Sequence, residues 1–390
     1  MDSNSNILVV GGVNGLVGRA LVEELIKDGY NHVTATTRTP KLGFPHPQLE
    51  LDLLTPTTQT TKWMVRGMEK KPKFDYIFMA AALVGGIGAN MENNSKFLMD
   101  NLKMHSNFLE ALESPSRMKT SKGAEKLEWP RIIFYGSSCM YPRVEDPSGL
   151  TITNFTPADL GSLPYEPTNE GYARAKVDSL FLTRELACDV MRRTGQAPHF
   201  LTLIPPNVHG LNQWGGKEFG STVTGDHHVV GDIMDKLASI ISKGETTIEC
   251  WGSGRCKREF ISARSLARRS IWAMKNIDSL LKGEGHTRSD VYNVGHNAEI
   301  SIGHLVEHLA QAMGFSPGEL NVRWDRSKPD GVISKRMCSY PFLDAYLTSE
   351  MPLGYVRKDY EEFMLAELTD TVEEVKRVRY RHLNFPPSID

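Results

Sequence analysis

The chain has 390 residues, enough for two domains at about 150 residues each. Its 45 basic and 47 acidic residues give a net charge of -2, which argues against a general binder of nucleic acid or of anionic membranes. The composition is that of a globular protein, and no apolar run approaches the ~18 residues of a membrane span. Because the polar N-terminus also resembles no secretion signal, we expect a cytoplasmic protein.

Predicted strands and helices alternate along the first half of the chain. Strands are predicted at 7–10, 32–37, 74–80, 131–135 and 200–204, and helices at 16–26, 95–112 and 172–194. Such alternation is typical of an α/β fold with a doubly wound parallel sheet of the Rossmann type.

The second half of the chain is less regular, which predicts a different domain. We expect residues 1–205 to form the nucleotide-binding domain, with 259–296 returning to it through a strand at 291–295. Residues 206–258 and 297–390 are then a smaller, mixed α/β substrate domain. The Ser-, Lys- and Glu-rich segment 114–129 is expected to be a solvated insertion.

A glycine motif links the first strand to the first helix. Gly12, Gly15 and Gly18 fit G-x-x-G-x-x-G, in which the first permits a tight turn, the second lets the backbone approach a pyrophosphate and the third lets the helix lie on the sheet. The alternative is a glycine turn in a flavodoxin-like fold. The loop residues expected to touch a dinucleotide are Gly12, Asn14, Gly15, Leu16, Val17 and Gly18.

The residue after the second strand indicates which dinucleotide the protein binds. An NAD enzyme places a carboxylate there, whereas this chain has Arg38, which can pair with a 2′-phosphate. We therefore predict NADP(H), the alternative being an ordinary surface arginine. Asp52 and Leu53 are predicted at the adenine, and the small Ala81 and Ala82 beside the dinucleotide.

A tyrosine and a lysine one helical turn apart form the predicted catalytic pair. Tyr172 and Lys176 share one helix face, so the ammonium is expected to lower the phenol pKa, and Ser137 at a strand end can bind the same carbonyl oxygen. A packed tyrosine beside a lysine that reaches the solvent is the alternative.

Three longer motifs carry a family resemblance: AAALVGGIGAN at 80–90, GSSCMYP at 136–142 and EPTNEGY at 166–172. With the glycine loop, they resemble the extended short-chain dehydrogenase/reductases, and among these the GDP-L-fucose synthases. That family is a 3,5-epimerase/4-reductase of a GDP-4-keto-6-deoxy sugar. The resemblance implies NADP(H), a nucleotide-sugar substrate and a homodimer built on the helices near 95–112 and 172–194.

The resemblance also assigns further residues. It implies that Cys139 and His228 transfer protons at C3 and C5 of the sugar. The remaining four cysteines are expected to be structural, since five scattered cysteines form neither a disulfide framework nor a paired zinc motif. His227 and His228 alternatively form a surface pair or a metal site, although no third ligand is evident, so no metal is predicted. The cofactor residues are completed by Pro206, Asn207 and Val208. The implied substrate contacts are Val84, Gly85, Ser138, Cys139, Asn207, His228, Lys236, Trp251, Arg258 and Lys328. A packed core residue is the alternative role for Trp251.

Departures from the family pattern concentrate in the substrate half. Gly231 and Asp232 replace a Pro-Ala pair, and an expected arginine aligns near Asp235 or Lys236. These changes leave open a related substrate, such as a GDP-heptose or a dideoxyhexose derivative. They also leave open a 4-reductase that does not epimerise and a non-enzymatic NADP sensor.

Overall fold

The computed structural model describes residues 1–55, 74–113, 129–144, 153–214, 228–282, 289–350, 360–383 and 385. Seven parallel strands form the main sheet, in the order β11-β6-β5-β4-β1-β2-β3. Their bounds are β1 Asn6–Val10, β2 His32–Thr37, β3 Gln48–Glu50, β4 Tyr76–Met79, β5 Arg131–Tyr135, β6 Phe200–Ile204 and β11 Val291–Asn293. The predicted α/β class is confirmed, and Val291–Asn293 lies beside β6 in the same sheet.

Helices cover both faces of this sheet, as the alternating side chains of β1 require. Ile7 and Val9 face a core that includes Leu21, while Leu8 and Val10 face the opposite core around Phe108. The first face carries α1 Leu16–Lys27, α6 Ala263–Lys275, α7 Ile277–Lys282 and α9 Tyr340–Glu350; the second carries α3 Asn94–Glu113 and α4 Glu170–Thr194. The short α2, Ile87–Glu92, precedes α3.

A separate hydrophobic core lies in the second half of the chain. It is formed around α5 Val229–Lys243, α8 Ile302–Ala312 and α10 Tyr360–Val378, against β8 Thr247–Trp251. Two-stranded sheets complete this half: β8 with β13 Asn321–Asp325 and β7 Asn207–His209 with β10 Phe260–Ser262, both parallel, and β9 Lys257–Arg258 with β12 Ile300–Ser301, antiparallel. Among the described residues, no helix is both long and apolar enough to cross a membrane.

Helix α10 is joined to this core by a buried polar network. The Glu367 carboxylate accepts a 2.7 Å hydrogen bond from the Ser262 backbone N–H and lies 3.1 Å from His296 Nε2. Burial opposes ionisation of Glu367, but His296 and the Arg269 guanidinium outweigh it and lower the carboxyl pKa to about 2. The C-terminal helix is therefore anchored by a buried carboxylate as well as by apolar contacts.

One part of the predicted insertion is structural. Trp129 packs edge-on against Phe200 at a ring-centroid distance of 6.1 Å and joins the core on the α3/α4 face. The expectation of a solvated segment is therefore wrong for Trp129, because an indole that precedes β5 directly is carried onto the sheet. Residues 114–128 lie outside the described part of the chain.

Candidate active site

The chain turns one residue earlier after β1 than the sequence motif predicts. Gly11 has φ of 84°, and its N–H donates a 2.8 Å hydrogen bond to Thr36 Oγ1. A Cβ on Gly11 would lie 3.0 Å from the Cα of Ala81. The left-handed residue of the turn is thus Gly11, one position before the glycine to which the motif assigns it. Gly12 lies in the same turn, and a Cβ there would be 3.0 Å from the Val9 carbonyl oxygen.

The next glycines let α1 approach the end of β1. A Cβ on Gly15 would lie 2.6 Å from the Gly11 carbonyl oxygen, and one on Gly18 would overlap the same atom. Among the described residues, no side chain caps the first turn of α1, which starts at Leu16. Its unpaired N–H groups therefore point out of the turn, an arrangement that suits a phosphate.

Arg38 follows β2 at the edge of this turn and is exposed. It forms no hydrogen bond or ion pair with any other described residue, so its guanidinium is available to an anion. The loop that carries it is held by the Thr37 hydroxyl, which donates to the Thr39 carbonyl at 2.7 Å. Asp52 lies in the next loop, where Oδ1 accepts the Leu54 N–H at 2.9 Å, and the buried Leu53 offers its carbonyl to Asn107.

The loop after β4 is held by an asparagine that sequence reasoning missed. Asn101, buried in α3, accepts the Leu83 N–H at 2.9 Å and donates to the Leu83 carbonyl at 3.0 Å. This pair of hydrogen bonds fixes the backbone between Ala82 and the exposed Val84. The signal in the sequence is a polar residue at a core-facing position of a predicted helix.

Cys139 lies on a single 3-10 turn, Ser138–Met140, directly after β5. The Ser137 hydroxyl caps this turn by accepting the Cys139 N–H at 3.2 Å. Ser138 is buried, and its N–H donates to the Pro205 carbonyl at the end of β6 at 3.3 Å. The turn holds the Cys139 side chain half-buried at the carboxyl edge of the sheet.

Tyr172 and Lys176 lie on one face of α4, next to this turn. The Lys176 ammonium is 5.8 Å from the Tyr172 ring centroid, and the ring of Phe97 meets that of Tyr172 edge-on at 6.4 Å. A Cβ on Gly85 would lie 3.0 Å from the Phe97 ring, which places the 80–90 motif against the same group.

The pKa of Tyr172 moves opposite to the sequence prediction. Burial raises it, negative charge at Cys139 raises it further, and the Ser137 side chain opposes them only in part. Burial also lowers the pKa of Lys176 to about 8, which weakens the positive charge expected to act on the phenol. The expected lowering of the Tyr172 pKa is therefore wrong, because burial and negative charge at Cys139 affect the phenol more strongly than the Ser137 side chain does.

Two residues predicted to bind the substrate meet at one end of β8. Trp251, whose side chain is 37% exposed, lies under the Lys328 ammonium at 5.1 Å from the ring centroid. The exposure contradicts the alternative of a packed core tryptophan. Arg258 is nearby in chain order, and its guanidinium is fixed by the carbonyl oxygens of Lys257 and Val332.

Lys335 is a buried cation that sequence reasoning missed. It is 7% exposed, and burial lowers the pKa of its ammonium, with negative charge at Cys139 opposing and Arg258 adding to the effect. Lys335 therefore interacts electrostatically with both Arg258 and Cys139. The sequence signal is the position of Lys335, seven residues after the predicted substrate contact Lys328.

Asp235 and Lys236, which align near the arginine expected from the family pattern, have different surroundings in the structure. Asp235 is buried, and it accepts a 2.6 Å hydrogen bond from the Tyr380 hydroxyl and pairs with Arg379. Lys236 is half-buried and paired with Asp232 at 2.7 Å, one turn earlier in α5. Of the two, Lys236 keeps a side chain that reaches the surface.

The remaining predicted residues lie where β7 and α5 begin. Pro206 precedes β7, and Asn207 is fixed by donating its backbone N–H and Nδ2 to the Glu259 carbonyl at 3.2 and 2.9 Å, while Val208 packs on the main core. His228 is the half-buried residue before the first turn of α5. His227 lies outside the described residues.

Comparison with known proteins supports the resemblance. A GDP-L-colitose synthase of Yersinia pseudotuberculosis is 28% identical over 84% of this chain and 88% of its own, and GDP-L-fucose synthase 1 of Arabidopsis thaliana is 28% identical over 87% of each chain. The crystal structure of a GDP-L-fucose synthetase from Naegleria fowleri has the same fold, with a TM-score of 0.66 at 21% identity over 98% of this chain and 96% of that one. The NAD dependent epimerase/dehydratase family matches residues 7–295. With the parallel sheet and glycine turn above, this match means that the chain belongs to the NAD dependent epimerase/dehydratase family.

Proposed function

We propose that this protein is an NADPH-dependent 3,5-epimerase and 4-reductase of a GDP-4-keto-6-deoxy sugar. The observation that carries the proposal is the position of Cys139, on a turn capped by Ser137 and electrostatically coupled to Tyr172 and Lys176. A reductase needs only the tyrosine, the lysine and the serine. A half-buried thiol beside them adds a group that can exchange a proton with carbon.

The glycine turn and Arg38 fit a dinucleotide with a 2′-phosphate. Side chains at Gly11, Gly15 or Gly18 would fill the space beside the first turn of α1, where the N–H groups can bind a pyrophosphate. The exposed guanidinium of Arg38 supplies the charge that a 2′-phosphate needs. When bound, NADPH supplies a hydride to C4 of the keto sugar.

Tyr172 and Lys176 serve the reduction. The raised pKa of Tyr172 keeps its phenol protonated near neutral pH, so that it can donate a proton to the oxygen at C4. Lys176 is held at the same site by its bond to the Tyr135 carbonyl and can bind the hydroxyl groups of the nicotinamide ribose.

Cys139 and His228 serve the epimerisation. A proton on a carbon next to the C4 carbonyl becomes acidic when hydrogen bonds from Ser137 and Tyr172 stabilise the enolate oxygen. Cys139 takes that proton, and His228 returns one to the opposite face, which inverts the carbon.

Cations of the substrate half can bind the diphosphate. Arg258 and Cys139 both act electrostatically on the buried Lys335, so Lys335 and Arg258 can supply two positive charges to a diphosphate. Trp251 and Lys328 form an exposed pair that can stack on a base or sugar. The relative named as a GDP-L-colitose synthase favours a second candidate substrate, a GDP-linked dideoxyhexose precursor.

We also propose a homodimer through α3 and α4. Their outer faces carry exposed apolar side chains, at 61% for Met99, 63% for Phe181 and 47% for Met191. Sedimentation of the native protein should give the mass of a dimer, and Phe181→Asp should shift it towards monomer. A wild-type monomer at all concentrations would contradict the proposal.

The proposed activity is tested with nucleotide-linked 4-keto sugars in D2O. With GDP-4-keto-6-deoxymannose, NADPH oxidation and deuterium at both C3 and C5 of the product are expected. NADPH oxidation without deuterium at either carbon would leave a 4-reductase, and deuterium at C5 alone with a 3-deoxy substrate would favour the colitose-type reaction. A panel of keto sugars with no oxidation at all would support a non-catalytic NADP sensor.

A further inference from the structure

We propose that Asn169 is a positioning residue that holds Cys139 in its proton-accepting, thiolate form. The inference rests on the proposed role of Cys139 in epimerisation and adds a residue to it. Asn169 precedes α4, and its amide Nδ2 donates a hydrogen bond to Cys139 Sγ at 3.3 Å. This is the only hydrogen bond that the Asn169 side chain makes with the described residues, since Oδ1 is buried and unpartnered.

The direction of this amide is unusual for its position in the fold. Asparagine is a preferred residue before the first turn of a helix because its side chain can accept a backbone N–H of that turn. Asn169 occupies that position in the 25-residue α4 but makes no such bond. The side chain is instead committed to the sulfur, so its placement serves Cys139 and not the stability of the helix.

Several charged groups act on the same site as the sulfur, and Asn169 adds a directional hydrogen-bond donor to them. Lys176 and Lys335 face it from α4 and from the segment after β13, and negative charge at Cys139 supports the protonated form of both. Tyr172 faces it as a neutral phenol, while Glu166 and Arg258 act on Lys335. In the first turn of α4 the Gly171 N–H donates to Asn94 Oδ1 at 2.6 Å, and the positive end of this long helix adds to the charges near the sulfur.

An amide N–H bond discriminates between the two forms of the sulfur. A thiolate accepts it strongly, whereas a thiol accepts it weakly. During epimerisation the sulfur lone pair takes a proton from carbon, the C–H electron pair enters the enolate, and the sulfur becomes a neutral S–H. Asn169 stabilises the state before this transfer and occupies one lone pair of the sulfur, which leaves another to take the proton.

The test measures the alkylation of Cys139 by iodoacetamide in the full-length protein, by mass spectrometry of the peptide. The rate is compared at about pH 7 and about pH 10, because the reference pKa of a thiol, about 8.5, lies between them. Dividing the rate at about pH 7 by the rate at about pH 10 removes differences in steric access. Cys188, exposed on the same helix, is the internal standard, and Asn93→Asp, at an exposed asparagine, is the matched control for the added charge.

We expect Asn169→Ala to lower the ratio about fivefold, the value of one hydrogen bond. Asn169→Asp should lower it at least about tenfold, because it replaces the donor with a negative charge beside the sulfur. Asn93→Asp should leave it unchanged. An unchanged ratio in Asn169→Asp overturns the proposal, and if that variant does not fold, an unchanged ratio in Asn169→Ala does so. A wild type that incorporates no deuterium would overturn the epimerase function instead, whatever the ratio shows.

Discussion

The Lys176 ammonium donates a 2.9 Å hydrogen bond to the main-chain carbonyl of Tyr135, the last residue of β5. This bond ties the second turn of α4 to the carboxyl edge of the sheet, one residue before the loop that carries Ser137 and Cys139. The lysine is thereby oriented before any cofactor binds. Its burial has a measurable consequence, since it brings the ammonium pKa to about 8.

Cofactor binding should weaken as pH rises through about 8. Burial favours the neutral amine of Lys176, so the cation that binds the ribose hydroxyls is present below this pH and is lost above it. NADPH binding, followed by nucleotide fluorescence between about pH 6 and pH 10, should show one decrease in that range. In Lys176→Met, binding should be weaker and free of this decrease; the same pH dependence in that variant would assign the titration to another group.

Cys139→Ser should separate the two proposed activities. A serine hydroxyl is too weak a base to take a proton from carbon, so deuterium at C3 and C5 should fall by at least about 100-fold. Reduction of a substrate that already has the product configuration should be largely retained, because Tyr172 and Lys176 are intact. Equal loss of exchange and reduction would contradict this division of roles.

Tyr172→Phe is the complementary variant. Without the phenol proton, the reduction rate should fall by at least about 100-fold, while slow deuterium exchange continues through Cys139. Exchange that disappears completely in this variant would mean that Tyr172, and not Ser137, is the main support of the enolate oxygen.

Arg38→Ala should change the preference between dinucleotides. The guanidinium has no partner among the described residues, so its removal costs the fold little and removes the charge available to a 2′-phosphate. We expect kcat/KM for NADPH to fall about tenfold to 100-fold and that for NADH to stay within about twofold. Lys41→Ala, at an exposed lysine in the same loop, is the control and should change neither value.

The regular half of the chain could be predicted because local patterns determine it. The strands at 131–135 and 200–204 begin and end where the apolar runs do, and the helix that carries Tyr172 differs from its predicted bounds by only two residues at one end, since it spans Glu170–Thr194. Buried parallel strands and amphipathic helices are short-range signals, and a glycine motif between them fixes the turn.

The electrostatics of the site could not be predicted from spacing. Tyr172 and Lys176 are where the motif places them, yet the phenol pKa moves upward because of burial, which spacing does not reveal, and of negative charge at Cys139. Lys335 and Asn169 reach Cys139 from segments distant in the sequence. Only the folded chain brings the three together, since neither the motif at 166–172 nor the lysine that follows Lys328 shows by itself that Asn169 and Lys335 act on the same sulfur.

Glu367→Gln should destabilise the protein near neutral pH. Its folded pKa of about 2 lies below the ordinary value of 4.5, so the ionised carboxylate contributes stability above about pH 4.5, and this contribution is lost as pH falls towards 2. The amide of Gln keeps one acceptor for the Ser262 N–H but loses the charge-assisted contact with His296. The loss should be about 1–3 kcal/mol at neutral pH.

Urea unfolding at several pH values measures this effect. The difference between wild type and Glu367→Gln should shrink as pH falls from about 5 towards 2, because the wild-type carboxyl is then protonated as well. Glu374→Gln is the matched control on the same helix, since its partly exposed pair with Arg264 is 3.3 Å long and should contribute less than about 1 kcal/mol. A Glu367→Gln protein as stable as wild type at neutral pH would mean that α10 is held by its apolar face alone, and the buried carboxylate would then have no part in anchoring it.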